Sequence, residues 1–278
     1  MVNRSPLDTV RKSAIAGTWY PGTARELGAT IDRFLANVTP VSLGGSLIGL
    51  IAPHAGYIYS GQVAAHAYRQ LQGLSFDVVV VVSPMHRQYV GPYVVNDAAY
   101  YETPLGRVEV DRALVEALAS HVPISRVDWD DEHSLEIQLP FLQRVLPSFE
   151  LLPVMQGDQL LPACESLANG LARVLQGKKA LLVASTDLSH FHPYQAAAVL
   201  DHVVSSHIEQ YDPEGLARAL QDGDAEACGG GPVASVMLAA RTLGAGRAVV
   251  LHYANSGDVT GDYGRVVGYL SAAICQGG

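Results

Sequence analysis

Asp77-Val78-Val79-Val80-Val81-Val82-Ser83-Pro84-Met85-His86 is the stretch on which the fold turns. A strand with one face in water alternates apolar and polar residues, whereas a strand covered on both faces reads as an unbroken apolar run. The valines here do not alternate, and β-branched side chains favour extended backbone. Asp77–Ser83 is therefore expected to be a central strand that runs into a polar turn at Ser83-Pro84-Met85-His86. Runs rich in Val, Ile and Leu recur at Ser46–Ala52, Tyr93–Ala98, Leu151–Met155, Lys179–Ser185, Ala248–Tyr253 and Arg265–Ala273.

Segments with helical period lie between them: Thr23–Leu35, Gly61–Leu71, Asp111–His121, Ser134–Leu146, Leu161–Leu175, Tyr194–Tyr211, Pro213–Gln221 and Pro232–Leu243. Strands alternating with helices predict an α/β fold with a mostly parallel central sheet flanked by helices. No long linker, low-complexity tract or repeat interrupts the chain, so residues 1–278 are expected to form a single domain.

Composition narrows the function. Hydrophobic residues make up 49% of the 278 and charged residues 16%, which supports a substantial core and argues against disorder. Lysine and arginine total 18 against 27 acids, a net charge of −9. A nucleic-acid groove needs a basic patch, and bare membranes are acidic, so neither partner is expected. The three cysteines, Cys164, Cys228 and Cys275, are too few and too scattered for a disulfide framework and suggest a reducing cytoplasm. The N-terminal MVNRSPLDTVRKSA has no apolar signal-peptide core, and no apolar run reaches the roughly 18 residues of a membrane helix.

Three strands run into polar clusters: Ala52-Pro53-His54-Ala55-Gly56-Tyr57, Ser83-Pro84-Met85-His86 and Ser185-Thr186-Asp187-Leu188-Ser189-His190-Phe191-His192. In an open parallel sheet, ligands bind outside the carboxyl ends of the strands. One histidine after a strand is usually a loop residue bonded to a carbonyl. His54, His86 and Asp187 at three matching positions make a candidate site. Two imidazoles and a carboxylate are also the ligand set of non-haem iron(II) oxygenases. Either Asp187 or a thiolate from Cys228 completes the set. Glu226-Ala227-Cys228-Gly229-Gly230-Gly231-Pro232 reads as a helix start, and a helix N-terminus lowers the pKa of a nearby thiol. The plainer reading of Cys228 is an ordinary buried cysteine.

Two further clusters belong with these. In Asp131-Glu132-His133-Ser134-Leu135-Glu136-Ile137-Gln138-Leu139-Pro140-Phe141, a helix would put Glu132 and Glu136 on one face; Ser134 could instead cap a solvated helix start. Asn255–Tyr263 reads as a polar, glycine-rich loop at the ligand edge. Tyr57, Glu132, His133 and Asp258, from these clusters, are the expected substrate contacts. The sequence contains no GxxxxGK[ST], HExxH, paired CxxC or strand-linked GxGxxG.

AGTWYPG from Ala16, APHAGYIYSG from Ala52, SPMH, EHSLEIQLPF, STDLSHF, CGGGP and NSGDVTGDYGRVVGY occur here in the order they have in Memo proteins. The chain resembles that family from roughly Arg11 to Ile274. The resemblance implies the fold of LigB-type (class III) extradiol dioxygenases. It implies a metal site of His54, His86 and Cys228, with Asp187 and His190 as catalytic groups lining the same pocket. It implies one iron or copper ion per chain, with zinc as a substitute. Animal members are linked to phosphotyrosine peptides, cell motility and metal-dependent redox chemistry. Microbial relatives accompany radical-SAM and AMMECR-type proteins. A phosphotyrosine partner finds no independent support in this sequence, where Arg87 is the one basic residue beside a proposed ligand.

Three functions compete on these grounds. The first is a metal-dependent redox enzyme, of oxygenase type, on a small substrate. The second is a binding module that holds a peptide or protein partner in the cleft. The third is a cysteine hydrolase using Cys228 with His54 or His190 as base.

Overall fold

The structure, a computed structural model, describes residues 9–277. Residues 1–8, most of the stretch read above for a signal peptide, lie outside the described residues. Along the chain the elements are β1 (Val10–Arg11), α1 (Ala24–Ala36), β2 (Leu47–Ala52), α2 (Tyr57–Tyr68), β3 (Val78–Pro84), β4 (Tyr93–Asn96), β5 (Tyr100–Thr103), β6 (Gly106–Glu109), α3 (Arg112–Ala119) and β7 (Ile124–Val127). They continue with α4 (Leu139–Val145), β8 (Glu150–Gln156), α5 (Leu161–Leu175), β9 (Ala180–Ser185), β10 (His190–His192), α6 (Tyr194–Glu209), α7 (Pro213–Asp222), α8 (Gly230–Thr242), β11 (Ala245–Asn255), α9 (Ser256–Thr260) and β12 (Val266–Gln276).

The valine run is central, as its pattern predicts. Every residue of β3 is buried, with β8 parallel on one side and β9 parallel on the other. Burying each valine side chain contributes about 1.5–3 kcal/mol, so this strand anchors the sheet. β2 adds in parallel to β9, giving a parallel core in the order β2-β9-β3-β8. Beyond that core the sheet turns mixed: β12 is antiparallel to β2, β10 and β11, and β4 is antiparallel to β8. A small separate sheet, β1-β5-β6, has strands of two to four residues, too short to leave a period in the sequence.

The helices follow local rules. In α1, Leu27, Ile31 and Leu35 fall on one buried stripe, and the Thr23 hydroxyl accepts the Glu26 N–H at the N-cap. In α7, Asp212 caps the start, Pro213 takes the first turn and Gly223 ends the helix with φ +82°. The helix expected over Ser134–Leu146 begins later: residues 136–138 form a 3₁₀ turn and α4 starts at Leu139. Asn255–Tyr263 is not wholly loop, since Asn255 and Asp258 form a capping box on the short α9. No helix of the described residues is long and apolar enough to cross a membrane.

Candidate metal centre

β2, β9 and β3 are neighbours and run the same way, so their carboxyl ends lie side by side. His54, Asp187 and His86 each follow the last strand residue by two. The His54 and His86 ring centroids are 5.1 Å apart, well within reach of a shared ion. Cys228 arrives from across the fold, just before α8, with its Sγ 3.0 Å from His54 Nε2. His54, His86 and Cys228 each offer a ligand atom, and all three atoms lie within 4.8 Å of one another.

Hydrogen-bond accounting fixes which ring nitrogens face that centre. The Ser185 hydroxyl donates its one proton to the Ser134 carbonyl, 2.6 Å away, and accepts from Gln138 Nε2 at 2.7 Å. Its contact with His54 Nδ1, 3.0 Å, must therefore be accepted from an Nδ1–H. That leaves the His54 Nε2 lone pair directed toward Cys228. His86 Nδ1 lies 2.9 Å from Glu132 Oε1, and Glu132 Oε2 also accepts the His86 backbone N–H at 2.6 Å. Glu132 thus orients the His86 ring from behind and frees Nε2, the usual arrangement for a metal-ligating histidine.

Electrostatics follow from the crowding. Burial, then the neighbouring His86 and His133 rings, hold His54 well below the usual imidazole range, so it is neutral and its lone pair is available. Burial alone would push the Glu132 carboxyl up, but His133, His86 and the His86 N–H outweigh it and hold it well below the usual carboxylate range. Burial raises Asp187, although it accepts the His54 N–H at 2.7 Å and the Ala55 N–H at 3.2 Å. Asp187 therefore clamps the His54 backbone, and Glu132 is the carboxylate that orients a ligand ring.

Cys228 departs from expectation in one respect. Its helix start was expected to favour thiolate, yet burial and then the Asp187 charge push the thiol up. α8 begins only at Gly230, beyond the sulfur, and one backbone donor, the Asp187 N–H at 3.3 Å, reaches Sγ. Burial favours the protonated thiol here; a bound cation would displace that proton. The glycines matter as steric gaps. A Cβ on Gly229 would strike the Ser185 carbonyl and lie 2.9 Å from Thr186 Cβ, so glycine lets the turn close on the end of β9.

A cavity of about 730 Å³ opens over this cluster. His133, Asp187 and His190 line it with His54 and His86. The His133 ring packs 4.2 Å from Trp19 and 4.7 Å from His86. His133 Nδ1 lies 3.1 Å from Glu132 Oε1, within ion-pair range but off the hydrogen-bond direction, so this buried nitrogen makes no hydrogen bond among the described residues. Three expected substrate contacts sit elsewhere. Tyr57 is buried, its hydroxyl donating to the Ile137 carbonyl. Asp258 accepts the Asn255 N–H and the Tyr194 hydroxyl. Glu132 lies behind His86, outside the cavity lining. Trp19, Tyr59, Phe191 and Arg265 line the cavity and went unread. Trp19 lies inside AGTWYPG, and that motif was the available signal.

Fold and site together define an α/β protein with an imidazole–thiol cluster, buried at His54 and open to the cavity at His86, at the carboxyl edge of a parallel core. Residues 11–273 match the family model for Memo-like proteins. The chain belongs to the Memo family. It is 36% identical to a MEMO1 family protein of Pyrobaculum aerophilum over 274 residues, covering 94% of this chain and 98% of that one. It is likewise 36% identical to a MEMO1 family protein of Methanosarcina mazei over 269 residues, covering 95% and 99%. Among solved structures, an uncharacterized protein of Escherichia coli K12 shares the fold at a TM-score of 0.53 and 15% identity, over 82% of this chain and all of that one.

Proposed function

We propose that this protein is a metal-dependent redox protein of oxygenase type, with one iron or copper ion held by His54 Nε2, His86 Nε2 and Cys228 Sγ, acting on a small substrate in the cavity above. The observation that carries the reading is the convergence of three ligand atoms within 4.8 Å, with both imidazoles turned by Ser185 and Glu132 so that their lone pairs face inward. Two imidazoles and a sulfur fit a borderline or soft ion, and zinc competes for such a set. A bound iron or copper supplies one-electron chemistry at this position. The chain's own residues do the rest. Ser185 and Glu132 hold the ligand rings, Asp187 fixes the His54 backbone, and the His133 and His190 rings stand at the cavity wall to hold or move a proton on the substrate.

Metal analysis of protein purified without chelators or nickel affinity tests this. We expect about one iron or copper per chain, and none in the His54→Ala/His86→Ala double variant. In Cys228→Ser, affinity for copper should fall sharply and sulfur-to-metal charge-transfer absorption should vanish. Unchanged binding and spectrum in that variant would remove Cys228 from the ligand set. One observation favours a second reading: the 3.0 Å contact between Cys228 Sγ and His54 Nε2 is also that of a cysteine–histidine pair. The raised thiol argues against it. Metal-free protein with Cys228-dependent ester hydrolysis would decide for it.

A further inference from the structure

The cavity mouth carries an arrangement that the metal reading does not use. β10 pairs with β12 through His190↔Val267 and His192↔Val266, and the register slips between those pairs. Phe191 is the residue left over. Its φ is +64°, a left-handed conformation that a bulky aromatic residue rarely adopts, and the residue is 58% exposed. Glu226 holds it there from both sides, accepting the His190 N–H at 2.9 Å and lying 2.7 Å from His192 Nε2. Backbone strain that is held in place and gains no burial is a mark of function.

What Phe191 touches is Arg265, whose guanidinium lies over the ring, 5.1 Å from its centroid. Both line the cavity. Arg265 makes no hydrogen bond or ion pair with any described residue. A guanidinium stacked on an aromatic face keeps its in-plane N–H fork free, and that fork matches a carboxylate. The other arginine of the lining, Arg87, already stands 3.8 Å from Asp131. Asp262, also in the lining, is turned to the Gly264 N–H at 2.9 Å.

We infer that Arg265, presented by Phe191, is the specificity-determining residue of the cavity and that it reads the carboxylate of a monoanionic substrate. The inference rests on the cavity being the substrate site proposed above. One free fork balances one negative charge. A phosphate monoester would bring nearly two, beside Asp262, to the one arginine of the lining that pairs with no carboxylate among the described residues. Trp19, Ile58, Tyr59 and Phe191 give the cavity flat apolar surface. The substrate is thus a small carboxylate with a planar apolar body, its charge at the mouth and its far end at the imidazoles.

The test uses metal-free full-length protein carrying Trp129→Phe, which leaves Trp19 in the cavity lining as the remaining one of the two tryptophans. Benzoate, benzamide and phenyl phosphate are titrated against its fluorescence. Benzoate should quench saturably and bind at least ~10-fold more tightly than benzamide, the margin of one charge-assisted fork. Arg265→Gln should abolish that preference without changing benzamide binding, and Arg87→Gln should leave benzoate within about 2-fold. Equal binding of benzoate and benzamide, an unaffected Arg265→Gln, tighter binding of phenyl phosphate, or no saturable binding would each overturn the inference. Metal content is measured on separate, untreated preparations. Protein that takes up neither iron nor copper yet prefers benzoate would retract the metal reading and leave this one standing.

Discussion

Glu132 and Glu136 stand in one segment, both buried and both held by several donors, but only Glu132 holds a ring that reaches the cavity. Glu136 is enclosed: it accepts from the Arg11 guanidinium, the Ser13 and Tyr20 hydroxyls and the Ala14 N–H. Arg11 in turn bonds Asp130 at 2.7 Å and the Glu132 carbonyl at 2.6 Å. Fixed donors saturate that carboxylate, and nothing is left to face a ligand. Glu132 also takes fixed donors, the His86, His133 and Ser134 N–H groups, but it holds in addition the His86 ring, whose Nε2 is free toward a cavity. A closed network specifies the fold, whereas an open one, ending in unshared lone pairs, is where chemistry can occur.

The largest expected effect breaks the closed side. Glu136→Ala leaves the buried Arg11 guanidinium with Asp130 as its one carboxylate partner and strips the Ala14 N–H and Tyr20 hydroxyl of their acceptor. Removing one partner of a buried pair costs about 3–5 kcal/mol. Denaturant unfolding should show that loss, while the remaining folded protein keeps its metal affinity. A loss under about 1 kcal/mol would erase the contrast between the two glutamates.

The next effect is on the open side. Glu132→Gln keeps the size of the side chain but removes the charge that orients His86 Nδ1–H. Such outer-shell changes lower metal affinity about 10–100-fold. Competition with a chromophoric chelator reads this directly, and the stability loss should be smaller than for Glu136→Ala. Wild-type affinity would mean that the loop alone positions His86.

Much of the fold and part of the site are legible in the sequence, and the rest is hidden for physical reasons. The valine run suits a doubly covered strand, and from it the topology rule put His54, His86 and Asp187 on one edge. Cys228 lies 174 residues from His54 in sequence, so no spacing rule links them, and the family motif placed it. Tyr57 turns away from the cavity because α2, expected from Gly61, starts at Tyr57. Each helical residue turns about 100°, so Tyr57 and Tyr59 point to nearly opposite sides. The first goes to the core and the second to the cavity. The division between Glu132 and Glu136 was invisible for a related reason. The segment is a turn followed by a 3₁₀ turn, so the two do not share the helix face that regular spacing implied.

The smallest effect sharpens the comparison by pH. Burial, His86 and His133 hold His54 below its ordinary value in the folded, metal-free chain, whereas the unfolded chain titrates near 6.5. Between those two values the unfolded state binds a proton at this position and the folded state does not. Stability therefore rises with pH across that window and is lost as pH falls below about 6.5, by up to about 1.4 kcal/mol per unit from this residue. His66, lowered to about 4 by burial and then by its stacked neighbour His252, adds a slope of the same sign from outside the site. The closed cluster does not add one through Arg11, which Asp130 and Glu136 keep protonated throughout despite its burial. Urea unfolding of metal-free protein between pH 5 and 7 should show the slope, and His54→Gln should flatten it in part while His66→Gln removes a separate share. An unchanged slope in His54→Gln would mean that His54 is protonated in the fold. Its Nε2 would then carry a hydrogen, and the lone pair that the metal centre requires would not be there.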